Sequence, residues 1–194
     1  MSAPLSLCVF CGSRTGLNPR HRETARRLGE LAARRGIGLV YGGGRVGLMG
    51  VLADAALAAG GRVVGVIPAH LVRLEVAHDG LSELVVVSTM HERKARMFEL
   101  ADAFAVLPGG IGTFDETIEI LSWRLLELHD KPVLFIDGEG YWRPWLALLE
   151  HAIAEGFANP GLRGLFAVVP DAEGAIAALA ASPPPALSPR PERL

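Results

Sequence analysis

The stretch Ala103-Phe104-Ala105-Val106-Leu107-Pro108-Gly109-Gly110-Ile111-Gly112-Thr113-Phe114-Asp115-Glu116 decides the fold. Its first five residues are all apolar and leave no polar face, so a strand built from them must be covered on both sides. Pro108 and the glycines then break the extended chain. From Phe114 to Leu128 apolar residues return at helical spacing. A strand, a glycine turn and a helix in that order form the unit of a parallel sheet with helices on each face.

The unit recurs along the whole chain. Further apolar or β-branched runs lie at Leu5–Cys11, Ile37–Tyr41, Arg62–Ile67, Leu84–Ser88, Pro132–Ile136 and Leu165–Val169. Helical periodicity marks Arg22–Arg35, Leu48–Ala59, Glu92–Ala101 and Trp142–Glu155 between them. In the first helix Ala25, Leu28, Leu31 and Ala32 share one face, while Arg22, Glu23, Arg26, Arg27 and Glu30 meet water. The expectation is one α/β domain over residues 1–181, a doubly wound parallel sheet of about seven strands with ligands beyond the strands' C-terminal ends. The proline-rich segment 182–194 has too little apolar content to offset its ordering entropy and is expected to be disordered.

A net charge of -2 gives no field for nucleic acid or an anionic membrane, so neither is an expected partner. An anionic ligand must be held locally. No run approaches the roughly 20 apolar residues of a membrane helix, and Leu5–Cys11 lacks the flanks of a signal peptide; a cytoplasmic location is expected. Cys8 and Cys11 sit three apart in a strand-like run, which points them to opposite faces and suits buried thiols better than a disulfide.

Glycines gather in three loops: Cys11-Gly12-Ser13-Arg14-Thr15-Gly16, Tyr41-Gly42-Gly43-Gly44-Arg45-Val46-Gly47-Leu48-Met49-Gly50, and Pro108 to Glu116. Glycine lets backbone N–H groups approach a ligand closely, and a helix N-terminus adds about half a positive charge. All three loops fall on one edge of the expected sheet, which suits a phosphate. Gly42-x-Gly44-x-x-Gly47 fits a dinucleotide pattern, but the next strand ends Val66-Ile67-Pro68 with no ribose-binding acid, which argues against NAD. The chain's lysines, Lys94 and Lys131, do not follow glycine, so a Walker A loop is excluded.

Two readings of Glu116 stand side by side. Thr113 as N-cap with Glu116 three residues on would form a capping box, or the carboxylate could serve a sugar next to a bound phosphate. In Met90-His91-Glu92-Arg93-Lys94 the adjacent cations open a helix and suit either an anion or solvent. His91-Glu92 has no second histidine a turn later, so no metal site is expected. Ser13 lacks the frame of a hydrolase nucleophile.

Taken together, Pro108-Gly109-Gly110-x-Gly112-Thr113-x-x-Glu116 and Met90-His91-Glu92-Arg93-Lys94 resemble the paired signature of the "Lonely Guy" (LOG) cytokinin riboside 5′-monophosphate phosphoribohydrolases. Phe10-Cys11-Gly12-Ser13, the Tyr41–Gly50 loop and His129-x-Lys131-Pro132-Val133 match in the same order, so the resemblance runs from about Leu5 to Gly156. It implies a Rossmann-like fold, no metal or redox cofactor, and a homodimer with its sites near the interface. Its substrates would be AMP or N6-modified adenosine monophosphates, cleaved to free base and ribose 5-phosphate. Arg93 and Glu116 fall on the family's catalytic pair. Gly110–Glu116 and Lys94 fall on ligand-binding positions, and Glu75 stands where a glutamate contacts the ligand. Ser122 keeps a hydroxyl where plant members have threonine. With the glycine turns included, the candidate substrate-binding set is Gly12, Ser13, Gly43, Gly44, Glu75, Met90, Lys94, Gly109, Gly110, Gly112, Thr113 and Ser122. Where members commonly have Gly-Tyr-Gly-Thr-Leu-Glu-Glu, this chain has Gly110-Ile111-Gly112-Thr113-Phe114-Asp115-Glu116, which leaves base preference open. Relatives are often labelled lysine decarboxylases, yet no lysine here is marked as a pyridoxal phosphate anchor. Two rival readings remain: a non-catalytic carrier of a nucleotide or of molybdenum cofactor, and a nucleosidase acting on a broader range of nucleoside monophosphates.

Overall fold

The computed structural model describes residues 5–72 and 77–182. Seven strands alternate with helices: β1 (Ser6–Phe10), α1 (Pro19–Arg34), β2 (Gly38–Tyr41), α2 (Gly47–Ala58), β3 (Val63–Pro68), β4 (Glu83–Val87), α3 (Met90–Leu100), β5 (Ala103–Val106), α4 (Ile111–Leu125), β6 (Val133–Ile136), α5 (Arg143–Ala154), β7 (Ala167–Val169) and α6 (Ala172–Ala181). They form one parallel sheet in the order β4-β3-β2-β1-β5-β6-β7. The doubly wound α/β expectation holds, strand for strand. The helix α6 was not anticipated: its Ala-rich sequence carries little periodic contrast, and Asp171, whose side chain accepts from the Gly174 N–H, caps it.

Alternation along β1 divides the core. Leu7, Val9 and Cys11 face α1, α2 and α6 on one side of the sheet, while Cys8 and Phe10 face α3, α4 and α5 on the other. The two cysteines therefore sit in separate layers as free, buried thiols, as their spacing implied. Burial pushes both well above their ordinary pKa, with the charge of Glu116 adding to the rise, so neither is a nucleophile at neutral pH.

The segment 182–194 lies outside the described residues apart from Ser182, and so do Glu75 and its neighbours 73, 74 and 76. Among the described residues no helix is long and apolar enough to cross a membrane.

Candidate active site

Strand β1 pairs with β2 on one side and with β5 on the other, so the winding direction reverses between β1 and β5. Beyond the C-terminal ends of these two strands the loops splay apart, which in open α/β sheets makes a ligand crevice. A cleft of about 750 Å³ opens there. Its walls include Gly12 and Ser13 from the β1 loop, Gly42 after β2, Met90 and Arg93 from α3, and Gly109, Gly110, Gly112, Thr113 and Glu116 from the turn into α4.

Helix α4 begins earlier than its sequence suggests. Its N-cap is Gly110, with no side-chain hydrogen bond, and the ladder starts where the Phe114 N–H donates to the Gly110 carbonyl. Thr113 is thus three residues inside the helix and buried, so of the two readings of Glu116 the capping box with Thr113 as N-cap does not form. The reason is local packing. A Cβ on Gly109 would stand 2.1 Å from the Thr113 Oγ1, so the glycine lets the turn fold directly onto the threonine. A side-chain cap does occur one helix earlier, where Thr89 accepts from the Glu92 N–H at 3.1 Å and Glu92 reaches back past it to accept from the Ser88 N–H at 2.8 Å. The first-turn N–H groups of α4 have no side-chain cap and no acid among them, the arrangement that binds an anion. Glu116, two turns in from the N-cap, lines the same cleft.

Arg93 faces the same space from α3. It is buried; its Nε donates to the Val66 carbonyl at 3.1 Å and its Nη2 to the Gly42 carbonyl at 2.8 Å. Gly42 makes room for it, since a Cβ there would fall 2.1 Å from Nη2. The charges of Arg93 and Glu116 both act on the Cys8 thiol in mid-β1, with opposite sign. A cation and a carboxylate thus flank one crevice whose far wall is an uncapped helix N-terminus.

Residues 49–179 match the family model described as "Possible lysine decarboxylase". A cytokinin riboside 5′-monophosphate phosphoribohydrolase of Rhodococcoides fascians is 51% identical over 177 residues, 91% of this chain and 89% of that one. An enzyme of the same name from Arabidopsis thaliana is 41% identical over 86% of this chain and 78% of its own length. The chain belongs to the LOG family. Its fold is shared more widely. A molybdenum cofactor binding protein of Rippkaea orientalis superposes with a TM-score of 0.70 at 20% identity, over 93% of this chain and 98% of that one. The Moco carrier protein of Chlamydomonas reinhardtii gives 0.70 at 22% identity, over 92% and 96%.

The other residues of the LOG signature fall into distinct places. Gly43 and Gly44 are outside the cleft wall: the Gly43 carbonyl accepts from the His78 N–H at 3.0 Å, and Gly44 bridges to Ala77. Gly47, with φ of +63°, sits where a Cβ would meet the Ser13 backbone at 2.2 Å, and the Leu48 N–H donates to the Gly12 carbonyl at 3.0 Å. The Gly47–Leu48 corner of the dinucleotide-like loop is therefore a buttress under the Ser13 loop, while Gly42 and Met49 line the cleft. Lys94 turns away from the cleft to Asp115 and Glu119, each at 3.1 Å, tying α3 to α4. Burial works to lower its pKa, but these two hydrogen bonds outweigh it and raise the pKa. The Ser122 hydroxyl donates to the Ile118 carbonyl at 2.7 Å on the exposed side of α4. Glu75 lies outside the described residues.

The lysine decarboxylase description of the LOG model finds no anchor in this chain. Lys94 is committed to two carboxylates, and Lys131 is buried with its Nζ donating to the Phe98 carbonyl at 2.7 Å. Neither lines the cleft. Sequence reasoning passed over His21, Arg14, Leu71 and Tyr141, all of which do. Tyr141 carried a usable signal, because it follows β6 on the same sheet edge as the glycine turns.

Proposed function

We propose that the chain hydrolyses the N-glycosidic bond of a nucleoside 5′-monophosphate, releasing a free base and ribose 5-phosphate. The carrying observation is that Glu116 and Arg93 share one cleft with the N-terminus of α4, whose N-cap Gly110 offers no side-chain cap. Membership of a family whose relatives bear the phosphoribohydrolase name supports the same reading.

The 5′-phosphate binds the N–H groups of the Gly110–Thr113 turn, with the Ser13 loop closing over it. Binding energy from this unreactive group fixes the scissile bond. Departure of the base leaves positive charge on the sugar, as in glycoside cleavage generally. The Glu116 carboxylate stabilises that charge or activates the attacking water, and Arg93 orients Glu116 or the ribose hydroxyls. No metal or redox cofactor enters these steps. The cleft rim carries Leu17, Leu71, Met90 and Ile111, an apolar set that favours a base with an apolar N6 substituent over adenine itself. Two copies of the chain pair through the exposed side of α4, where Ile111, Ile118 and Leu125 recur every seventh residue beside Leu126. The free thiols suit a reducing compartment, and the proposed setting is the cytoplasm.

Incubation with AMP, an N6-isopentenyl AMP and the matching unphosphorylated nucleosides, with free base read by chromatography, tests this. Release from the monophosphates alone is expected. No release from any monophosphate, with AMP only raising the melting temperature, would favour a carrier on the same scaffold. Equal turnover of pyrimidine monophosphates would favour the broader nucleosidase.

A further inference from the structure

We propose that Tyr141 is a positioning residue for the phosphate site: its hydroxyl holds the Gly109 carbonyl out of the space the anion occupies. The proposal rests on the reading of the α4 N-terminus as the phosphate site. The Gly109–Gly110 peptide has no Cβ on either side, so nothing intrinsic to it resists rotation. A rotated peptide would present a carbonyl oxygen, with its negative dipole, to the phosphate dianion.

Both carbonyls that lead into the turn are instead engaged from outside it. The Gly12 N–H donates to the Pro108 carbonyl at 3.0 Å, and the Tyr141 hydroxyl donates to the Gly109 carbonyl. The phenol reaches the turn from a fixed base. Its ring stands edge-on to His21 at 5.8 Å and to Trp142 at 5.1 Å. Trp142 is fully buried, its backbone N–H donates to Asp137 Oδ1 at 3.0 Å, and its ring packs against Phe114 in the first turn of α4. Tyr141 itself is 37% exposed on the cleft wall, so water is at hand for its hydroxyl. Burial does not force that hydroxyl onto a carbonyl; the geometry points to control of the turn.

Tyr141→Phe keeps the ring and removes only the hydroxyl. Calorimetry with ribose 5-phosphate is expected to show Kd raised about three- to tenfold, the range one net hydrogen bond supplies. In turnover of a nucleoside monophosphate the loss falls on KM rather than kcat, and the melting temperature stays within about two degrees. Unchanged Kd for ribose 5-phosphate, or a loss confined to kcat or to melting temperature, overturns the proposal. Wild-type protein that fails to bind ribose 5-phosphate overturns it together with the phosphate site. Wild-type protein that binds ribose 5-phosphate yet frees no base defeats the proposed reaction alone, and the Kd comparison still decides the role of Tyr141.

Discussion

At the residue scale the site sets a charge beside a tightly folded turn. Glu116 lines the cleft, so Glu116→Gln, which preserves shape and removes charge, should lower kcat by about 10²–10⁴. Steady-state kinetics checks this; a variant with full activity would remove Glu116 from the mechanism. Gly109 acts through shape rather than charge. A methyl there meets the Thr113 Oγ1 at 2.1 Å, so Gly109→Ala must push the turn off α4. Overpacking of this kind costs about 1–3 kcal/mol, and the displaced turn should also lose ribose 5-phosphate affinity. Denaturant unfolding and calorimetry read the two effects. The glycine and the carboxylate were both legible in the sequence, but spacing alone left Glu116 between a capping box and a carboxylate serving the sugar. Thr113 and Glu116 have capping-box spacing, and only the direct packing of Gly109 on Thr113 shows that the helix starts at Gly110.

At the element scale, α3, α4 and β6 are joined by buried polar groups that link stability to pH. His129 accepts from the Lys131 N–H at 3.1 Å through Nδ1 and donates from Nε2 to the Ile120 carbonyl at 2.9 Å, so it is neutral in the folded protein. Burial pushes its pKa down to about 4. Because the unfolded chain takes up this proton near pH 6.5, stability from this group is present above 6.5 and is lost as pH falls toward 4. Lys131 is also buried and pushed down, to about 8, with its Nζ 3.9 Å above the Phe98 ring. There the unfolded chain holds the proton between about pH 8 and the ordinary 10.5, so stability rises as pH climbs through that window. Unfolding free energies measured from pH 4 to 10.5 should therefore show two rising limbs. His129→Gln should flatten the lower one and Lys131→Met the upper one; a variant that keeps its limb would assign that limb to other groups. The sequence marked His129-x-Lys131 only as a matching segment, since burial of a lysine under Phe98 cannot be read from spacing.

At the scale of the whole molecule, the sheet was readable because its five inner strands are apolar on both faces, and that pattern has few solutions other than a parallel sheet between helix layers. Placement of the glycine turns on one edge followed from the same alternation of strand and helix. What periodicity could not supply was the division of labour among those turns: Gly47 underpins the Ser13 loop while Gly109 forms the cleft wall, a distinction made by contacts between loops far apart in sequence. A similar limit applies to the outer surface. Ile111, Ile118 and Leu125 are 84%, 52% and 54% exposed along α4, with Leu126 at 67%. Such a stripe suits contact with a second copy, because a helix row meets the same row of its mate across a two-fold axis. Ile111 also lines the cleft, so pairing through this stripe sets each site beside the interface. Ile118→Glu with Leu125→Glu places like charges opposite one another on both helices. The proposed pairing predicts a dimer for the parent chain and a monomer for this variant in sedimentation. It also predicts that turnover falls with dissociation, because in that pairing the partner would wall the cleft at Ile111. An unchanged sedimentation coefficient in the charged variant would move the interface elsewhere.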